Sequence, residues 1–380
     1  MKKFVEVSVV FVLVAAFLFL AWQVATLPGS DGGYISDEVW YVSASRNILH
    51  DFFKAEGGSR YYTAPEDCLT NGSRVVKVYT NIDVVTAEGP VTCFIRRGFP
   101  YPDKPGILNY YNLEHPPLAK YILAFVIWLR DEPIYWRLPS IIFGAATVVL
   151  VYAIARRVAG RAWAAVAAGA LALDNTFRSM AGIAMLDIYL AFFTTLLVYM
   201  YVYNRILAVG FVLGLAASVK YSGAFPLFGL AYLYARQSLW KFVAVVLSAA
   251  SAFLLIHMPL VGYLGLSRWV GEVAAAISWH TTSRPPGPVA STPLDWLLMQ
   301  NSFMLHQDLY ASGTPVYLIA LIYALIRRDD LSILYLSTYG GYWLVYLAGN
   351  HTLYSFYTTH FSPLAHIILA RLMADVFKKF

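Results

Sequence analysis

Apolar stretches of bilayer-spanning length recur along this chain from Phe4 to Val376, and most of its charges fall in the intervals between them. A helix needs about 20 apolar residues to cross the hydrocarbon layer, and once inside it must satisfy every backbone N–H and C=O internally. A chain patterned this way has one economical solution, a bundle of membrane-spanning helices. Composition agrees: 59% of the 380 residues are apolar and 13% are charged, against about 25% charged in a soluble domain. The predicted fold class is all-α integral membrane, one domain over residues 1–380.

Apolar runs place spans at Phe4–Thr26, Tyr135–Ala155, Ala162–Phe177, Gly182–Tyr203, Ile206–Val219, Ser222–Ala235, Phe242–Met258, Thr314–Ile326, Leu331–Ala348 and Tyr354–Val376, about ten in all. The first follows Lys2 and Lys3 but is too long for a secretion signal, so it reads as a retained span with Glu6 near the interface. Alternate loops carry Arg156, Arg157 and Arg161; Arg205; Arg236 and Lys241; Arg327 and Arg328; Lys378 and Lys379. The positive-inside rule puts these in the cytoplasm. The net charge of +6 thus reports topology and implies no nucleic-acid partner.

The assignment turns on Leu118–Leu129, which is about 12 residues and too short to span. It is expected to lie along the outer interface. The opposite, extracytoplasmic face then collects Asp37, Glu38, Glu114, His115, Arg137, Arg178, Lys220, His280, Arg284, His306, His351 and His360, with Asp187 about one turn into its span. Ionisable groups at membrane depth are costly and normally face a functional cavity.

Two outer loops are long. Residues 27–133 hold an expected interfacial helix near Asp37–Phe53 and a strand-like stretch from Arg74 to Arg96; residues 259–313 hold a Pro-rich segment from Ser283 to Pro288. Cys68 and Cys93, the only cysteines, share the first loop, where they would either pair in an oxidising exterior or remain free thiols.

Within this frame several motifs carry chemistry. Ser36-Asp37-Glu38 opens a helix, where acids suit the dipole; a carboxylate there could equally take a proton from an acceptor hydroxyl. Asn112-Leu113-Glu114-His115-Pro116-Pro117 sets a rigid turn that either only starts a helix or also lines a site. Arg137, Arg178 and Lys220 singly could snorkel, yet together they suit an anion clamp for a leaving phosphate. Trp40, Tyr41 and Trp279 could stack on a sugar or belong to the interface belt. Asn71-Gly72-Ser73 and Asn350-His351-Thr352 are glycan acceptor triplets that also arise by chance.

The ordered series Asp37-Glu38, His115-Pro-Pro-Leu-Ala-Lys120, Arg137-Leu-Pro, Leu173-Asp-Asn with Arg178, Leu186-Asp-Ile and Ser218-Val-Lys-Tyr-Ser-Gly223 resembles the protein O-mannosyltransferase family, GT-C class membrane glycosyltransferases. So do Ile277–Trp296 and Tyr357–Ala365. The resemblance implies a GT-C bundle and inverting transfer of mannose from dolichyl-phosphate-mannose, or another polyprenyl-phosphate sugar, to Ser or Thr of an exported protein. It implies Asp37 as base with Glu38 as partner, Arg137 as the essential arginine and Lys220 as a phosphate contact; the shared face adds Arg178 to the expected donor phosphate-binding residues Arg137 and Lys220. Glu114, His115, Asp187, His280 and Arg284 are expected to line the site.

Two departures from that family stand out. Eukaryotic members carry Asp where Leu113 stands, with Glu114 here directly before His115, and they carry a β-trefoil insertion for which the second loop is too short. Other readings are a GT-C enzyme with a lipid or glycan acceptor, and a polyprenyl-lipid flippase. The scheme requires no cofactor. A divalent metal on His280, His306, His351 or His360 with Glu114 or His115 lacks a close ligand pattern.

Overall fold

The computed structural model describes residues 2–29, 33–55, 110–283, 286 and 289–377, with short strands between 62 and 100. Cys68, Cys93, Arg284 and the Asn71 triplet lie outside the described residues.

Among the described residues three helices are long and apolar enough to cross a bilayer: α1 (Lys2–Ala25), α4 (Pro133–Ala159) and α10 (Leu239–Leu264). The other expected spans are shorter helices or interrupted ones. Among these are α7 (Asp187–Val202), α8 (Ile206–Ala217), α9 (Pro226–Ala235), α13 (Pro315–Arg327) and α14 (Asp330–Leu347).

Expected span 162–177 is divided in the structure. Helix α5 (Arg161–Leu173) stops at Asp174, whose carboxylate accepts the Phe177 N–H at 3.0 Å and so starts α6 (Asn175–Ala181). The same carboxylate accepts the hydroxyls of Tyr317 and Ser362 at 3.0 Å each, tying α6 to α13 and α15 (Ser362–Phe377). Short 3-10 segments precede α9, at Tyr221–Ala224, and α15, at Ser355–His360.

Close helix packing follows from small residues. A Cβ on Gly210 would stand 2.4 Å from Val245 O, and one on Gly214 2.2 Å from Ala249 O, so this glycine pair lets α8 and α10 touch backbone to backbone. The outer faces are apolar: Phe11 on α1 is 71% exposed, and Trp240 and Met258 on α10 are 79% and 63%. Such a surface has lipid chains as its solvent.

Polar groups segregate to two ends. At one, Glu6 meets Arg156 at 2.7 Å and Arg161 at 3.4 Å, and Arg327–Asp375 and Arg371–Asp329 pair at 3.4 and 3.3 Å. Arg156, Arg161 and Arg327 are residues that charge bias assigned to the cytoplasmic side. The other end carries the two long segments. There α2 (Glu38–Asp51) lies along α3 (Leu118–Leu129). A helix of 12 residues is about 18 Å long, well short of the roughly 30 Å hydrocarbon layer.

The second long segment holds more order than its sequence suggests. Helix α10 runs through Pro259 to Leu264, because the apolar run continues through Leu260 and Val261, and α11 (Leu266–Thr281) turns back from it. Next come α12 (Pro293–Leu298) and a hairpin of β6 (Phe303–His306) with β7 (Leu309–Ala311). In the first segment β1 (Tyr62–Thr63), β4 (Arg96–Arg97) and β5 (Phe99–Pro100) form one antiparallel sheet; β2 (Val84–Thr86) pairs with β3 (Gly89–Val91). Strands β2, β3 and the start of β4 fall within the expected Arg74–Arg96 stretch.

Helix α2 is fixed by a fully buried bidentate pair, Arg46 Nε and Nη2 donating to the two Asp131 oxygens at 2.7 Å each. Tyr34 accepts from Arg46 at 2.6 Å, and the Trp136 indole N–H donates to Asp131 at 2.8 Å. Breaking one side of such a pair leaves a bare buried charge, at a cost of about 3–5 kcal/mol. Asp131→Asn is therefore expected to lower the unfolding temperature in detergent sharply, with Arg46→Met/Asp131→Leu recovering more than half of the loss.

Candidate active site

The acidic pair that opens α2 divides its labour. Glu38 is fully buried, and each of its oxygens accepts two N–H groups: Oε1 from Arg137 Nε at 2.8 Å and Ala184 N at 2.7 Å, Oε2 from Arg137 Nη2 at 2.6 Å and Ile35 N at 2.7 Å. A carboxylate has about four acceptor sites, so Glu38 has none left for a substrate.

Arg137 is equally committed. Beyond Glu38 it donates to Ala25 O at 2.8 Å and Gly33 O at 2.7 Å, and it is 1% exposed. The expected phosphate clamp is thus a brace joining α1, α2 and α4.

Asp37 faces the other way. It occupies the N-cap position of α2 yet makes no side-chain capping bond, and it lines a cavity of about 410 Å³. Ser36 before it has φ +53°, a left-handed conformation costly for a residue with a side chain. Aromatic residues Trp40, Tyr41, Tyr110, Trp279, Tyr354 and Phe356 share the walls with Asn112 and Glu114. The three aromatics singled out from the sequence all face this space.

Glu114 accepts from the Tyr110 hydroxyl and, at 3.0 Å, from Asn112 Nδ2. Burial first, then the Glu114 charge, pushes the Tyr110 phenol far above its ordinary value.

A second cavity of about 190 Å³ adjoins the first. Lys220 lies in its wall, donating to both Asp187 oxygens at 2.9 and 3.1 Å and sitting 4.4 Å from the Tyr357 ring centroid. The remaining lining is mostly apolar or aromatic, including Tyr221, Phe225, Ile277, Tyr342, Val345 and Leu353. His115, His280, Asn350 and Tyr357 line both cavities and so form their common wall.

Local bonds hold this wall. Lys120, buried in α3, donates to three carbonyls, Tyr111 O at 3.0 Å, His115 O at 2.7 Å and Asn112 O, which fixes the turn that carries Glu114 and His115. The Leu118 N–H donates to Ser218 O at 2.9 Å, coupling that turn to the Lys220 segment. Gly223 lets the 3-10 turn fold back on α8, since a Cβ there would meet Ala216 C and O at 2.2 Å. His280 on α11 reaches Glu114 O at 3.0 Å through Nε2.

The structure therefore brings together Asp37, Glu114, His115, Lys220, Asp187 and His280. Arg178 is apart from them, donating to Asn175 on its own helix at 3.0 Å and lining neither cavity. Asn350, which opens the second of the two acceptor triplets, is 3% exposed and donates to His280 O at 3.0 Å, so its nitrogen is committed inside the protein. The remaining histidines do not converge: His360 lies between Thr194 and Tyr342, His351 packs on Tyr346 and His306 sits in the hairpin. Among the described residues no three His, Cys, Asp or Glu side chains group as metal ligands.

Parts of the chain are similar to known proteins. Residues 132–271 match the dolichyl-phosphate-mannose-protein mannosyltransferase family. That segment contains Arg137, Asp187, Lys220 and the close-packed α8–α10 pair. The chain is 40% identical over 89 residues to the polyprenol-phosphate-mannose–protein mannosyltransferase of Corynebacterium glutamicum, covering 23% of this chain and 17% of that protein.

In fold it is similar to ArnT from Cupriavidus metallidurans bound to undecaprenyl phosphate, with a TM-score of 0.55 and 14% identity over 97% of this chain and 59% of that one. It is also similar to the archaeal oligosaccharyltransferase AglB from Archaeoglobus fulgidus, with a TM-score of 0.50 and 14% identity over 100% of this chain and 51% of that one. The chain thus spans less than two thirds of each relative's length. The chain shares the helical-bundle fold of these two proteins.

Lys120 and Asp131 escaped the sequence reading as site-building residues. The signal for Lys120 was an ionisable residue inside an otherwise apolar 12-residue helix. Lys120→Met is expected to raise amide exchange across 110–115 by about tenfold or more, leaving α13 and α14 unchanged. Arginine should not rescue it, because a planar fork cannot serve three converging carbonyls.

Proposed function

We propose that this chain is an inverting membrane glycosyltransferase that moves a sugar, mannose by its family match, from a polyprenyl or dolichyl phosphate to a Ser or Thr hydroxyl of an exported protein. The observation carrying this reading is the pair of adjoining cavities, one with the Asp37 carboxylate and the other with the Lys220 ammonium, divided by a wall both touch. Inverting displacement needs base and leaving group on opposite sides of the sugar, which this division provides.

In the proposed reaction the acceptor oxygen attacks the anomeric carbon as its proton passes to Asp37. The bond from that carbon to the phosphate oxygen breaks, and the lipid phosphate leaves with the electron pair. Lys220, held in place by Asp187, neutralises the developing charge from the second cavity. Glu38 and Arg137 act by aiming Asp37. Arg178 has no part, and no step calls on a metal.

The solved complexes of ArnT with undecaprenyl phosphate and of AglB with a dolichol-phosphate support a lipid-phosphate ligand for this fold. The family match and the C. glutamicum relative support mannose and a protein acceptor. With the Glu6–Arg156–Arg161 cluster at the cytoplasmic end, the cavities open on the extracytoplasmic face.

Asp37→Asn keeps the shape of the side chain and removes its basicity. Turnover of a polyprenyl-phosphate mannose donor on a Ser/Thr peptide should fall by about 10²–10⁴-fold, with donor binding unchanged within about threefold. Full turnover by the variant would remove Asp37 from the mechanism. Transfer to lipid or glycan and not to peptide would reassign the acceptor.

A further inference from the structure

His115 stands where the two cavities meet, and its ring nitrogens are in different situations. Nδ1 is buried with no hydrogen-bond partner among the described residues. Nε2 makes no hydrogen bond to the described residues and is not among their buried unbonded atoms, so it is the edge of the ring left open to the cavity.

The neighbours in the wall are already occupied. His280 Nε2 is bonded to Glu114 O at 3.0 Å, and the Asn350 amide donates to His280 O and accepts the Thr352 N–H at 3.1 Å. His115 stacks on His280 at 5.3 Å between centroids and lies 6.1 Å from Tyr41.

An imidazole in this setting stays neutral. Burial comes first, and the positive charge of Lys220 next; both hold His115 well below its ordinary value. A proton on Nδ1 would have no acceptor, whereas a bare lone pair there costs less. Neutrality with Nδ1 bare puts the one ring hydrogen on Nε2, facing the cavity.

We infer that His115 is a neutral hydrogen-bond donor, through Nε2–H, to the phosphate of the lipid-linked donor at the boundary between the two cavities. Lys220 supplies charge from one side, and His115 supplies a directed hydrogen bond beside the breaking bond. This role rests on the proposed transferase reading and adds a phosphate ligand to it. It also explains a cavity-facing imidazole that is not a base: the Nε2 position is already protonated.

The test uses side-chain amides that place an N–H at either ring position. Glutamine reaches the Nε2 position, and asparagine reaches only that of Nδ1. Undecaprenyl phosphate binding to the full chain in nanodiscs should stay within about threefold of the parent for His115→Gln. It should weaken about tenfold or more for His115→Asn, the loss of one hydrogen bond to a charged group. Nitrogen-15 shifts of His115 in the unaltered protein should show Nε2 protonated and Nδ1 bare, independently of any effect of substitution on folding.

Asparagine binding as well as the parent, glutamine binding as weakly as asparagine, or a protonated Nδ1 would each overturn the assignment. Lys220→Met separates the two levels. If it abolishes binding and His115→Asn does not, only the role of His115 falls. If the unaltered protein does not bind undecaprenyl phosphate, the donor reading falls with it.

Discussion

Four N–H groups converge on the buried carboxylate of Glu38, and the geometry of the catalytic end depends on that convergence. They come from the turn before α2, from α4 and from the segment leading into α7, and Arg137 extends the network to the last turn of α1. An uncompensated carboxylate at this depth would cost several kcal/mol, so the segments are held wherever they can satisfy it. Successive residues on a helix point about 100° apart. Once Glu38 is fixed inward, Asp37 has to face the cavity.

A second pair repeats the device with polarity reversed. Arg46, two turns along α2, meets Asp131 just before α4, while Glu38 meets Arg137 inside α4. Crossed charges resist both sliding and rotation of α2, because a shift that separates one pair separates the other. Lys220 and Asp187 form the third buried pair, and theirs is the one bordering a cavity. Two of the buried pairs therefore hold the frame, and the third places a cation beside the space where an anion would sit.

Much of this was legible in the sequence because bilayer physics writes long, coarse signals. The apolar runs locate α1, α4 and α10, and the basic loops separate Glu6, Arg156 and Arg161 from the opposite end. The short run Leu118–Leu129 was readable from its hydropathy as a single short helix with the same bounds as α3. Partnerships were less legible. Arg137 looked available for phosphate because the acid it pairs with, Glu38, lies 99 residues earlier in the chain. Asp131 sits in an Arg-Asp-Glu-Pro string that looks like a solvated helix end, yet its side chain is fully buried. Helix ends at Asp174 and at the 3-10 turns were hidden for the same reason, since side-chain caps and close backbone contacts interrupt a helix without interrupting its hydropathy.

Gly223 carries no functional group and touches no substrate in the proposed reaction, yet the turn presenting Lys220 closes on α8 only because no carbon branches from it. Side-chain chemistry alone would rank this position as inert. A substitution map of the molecule would instead show two kinds of intolerance: positions that need a particular atom, and positions that need the lack of one.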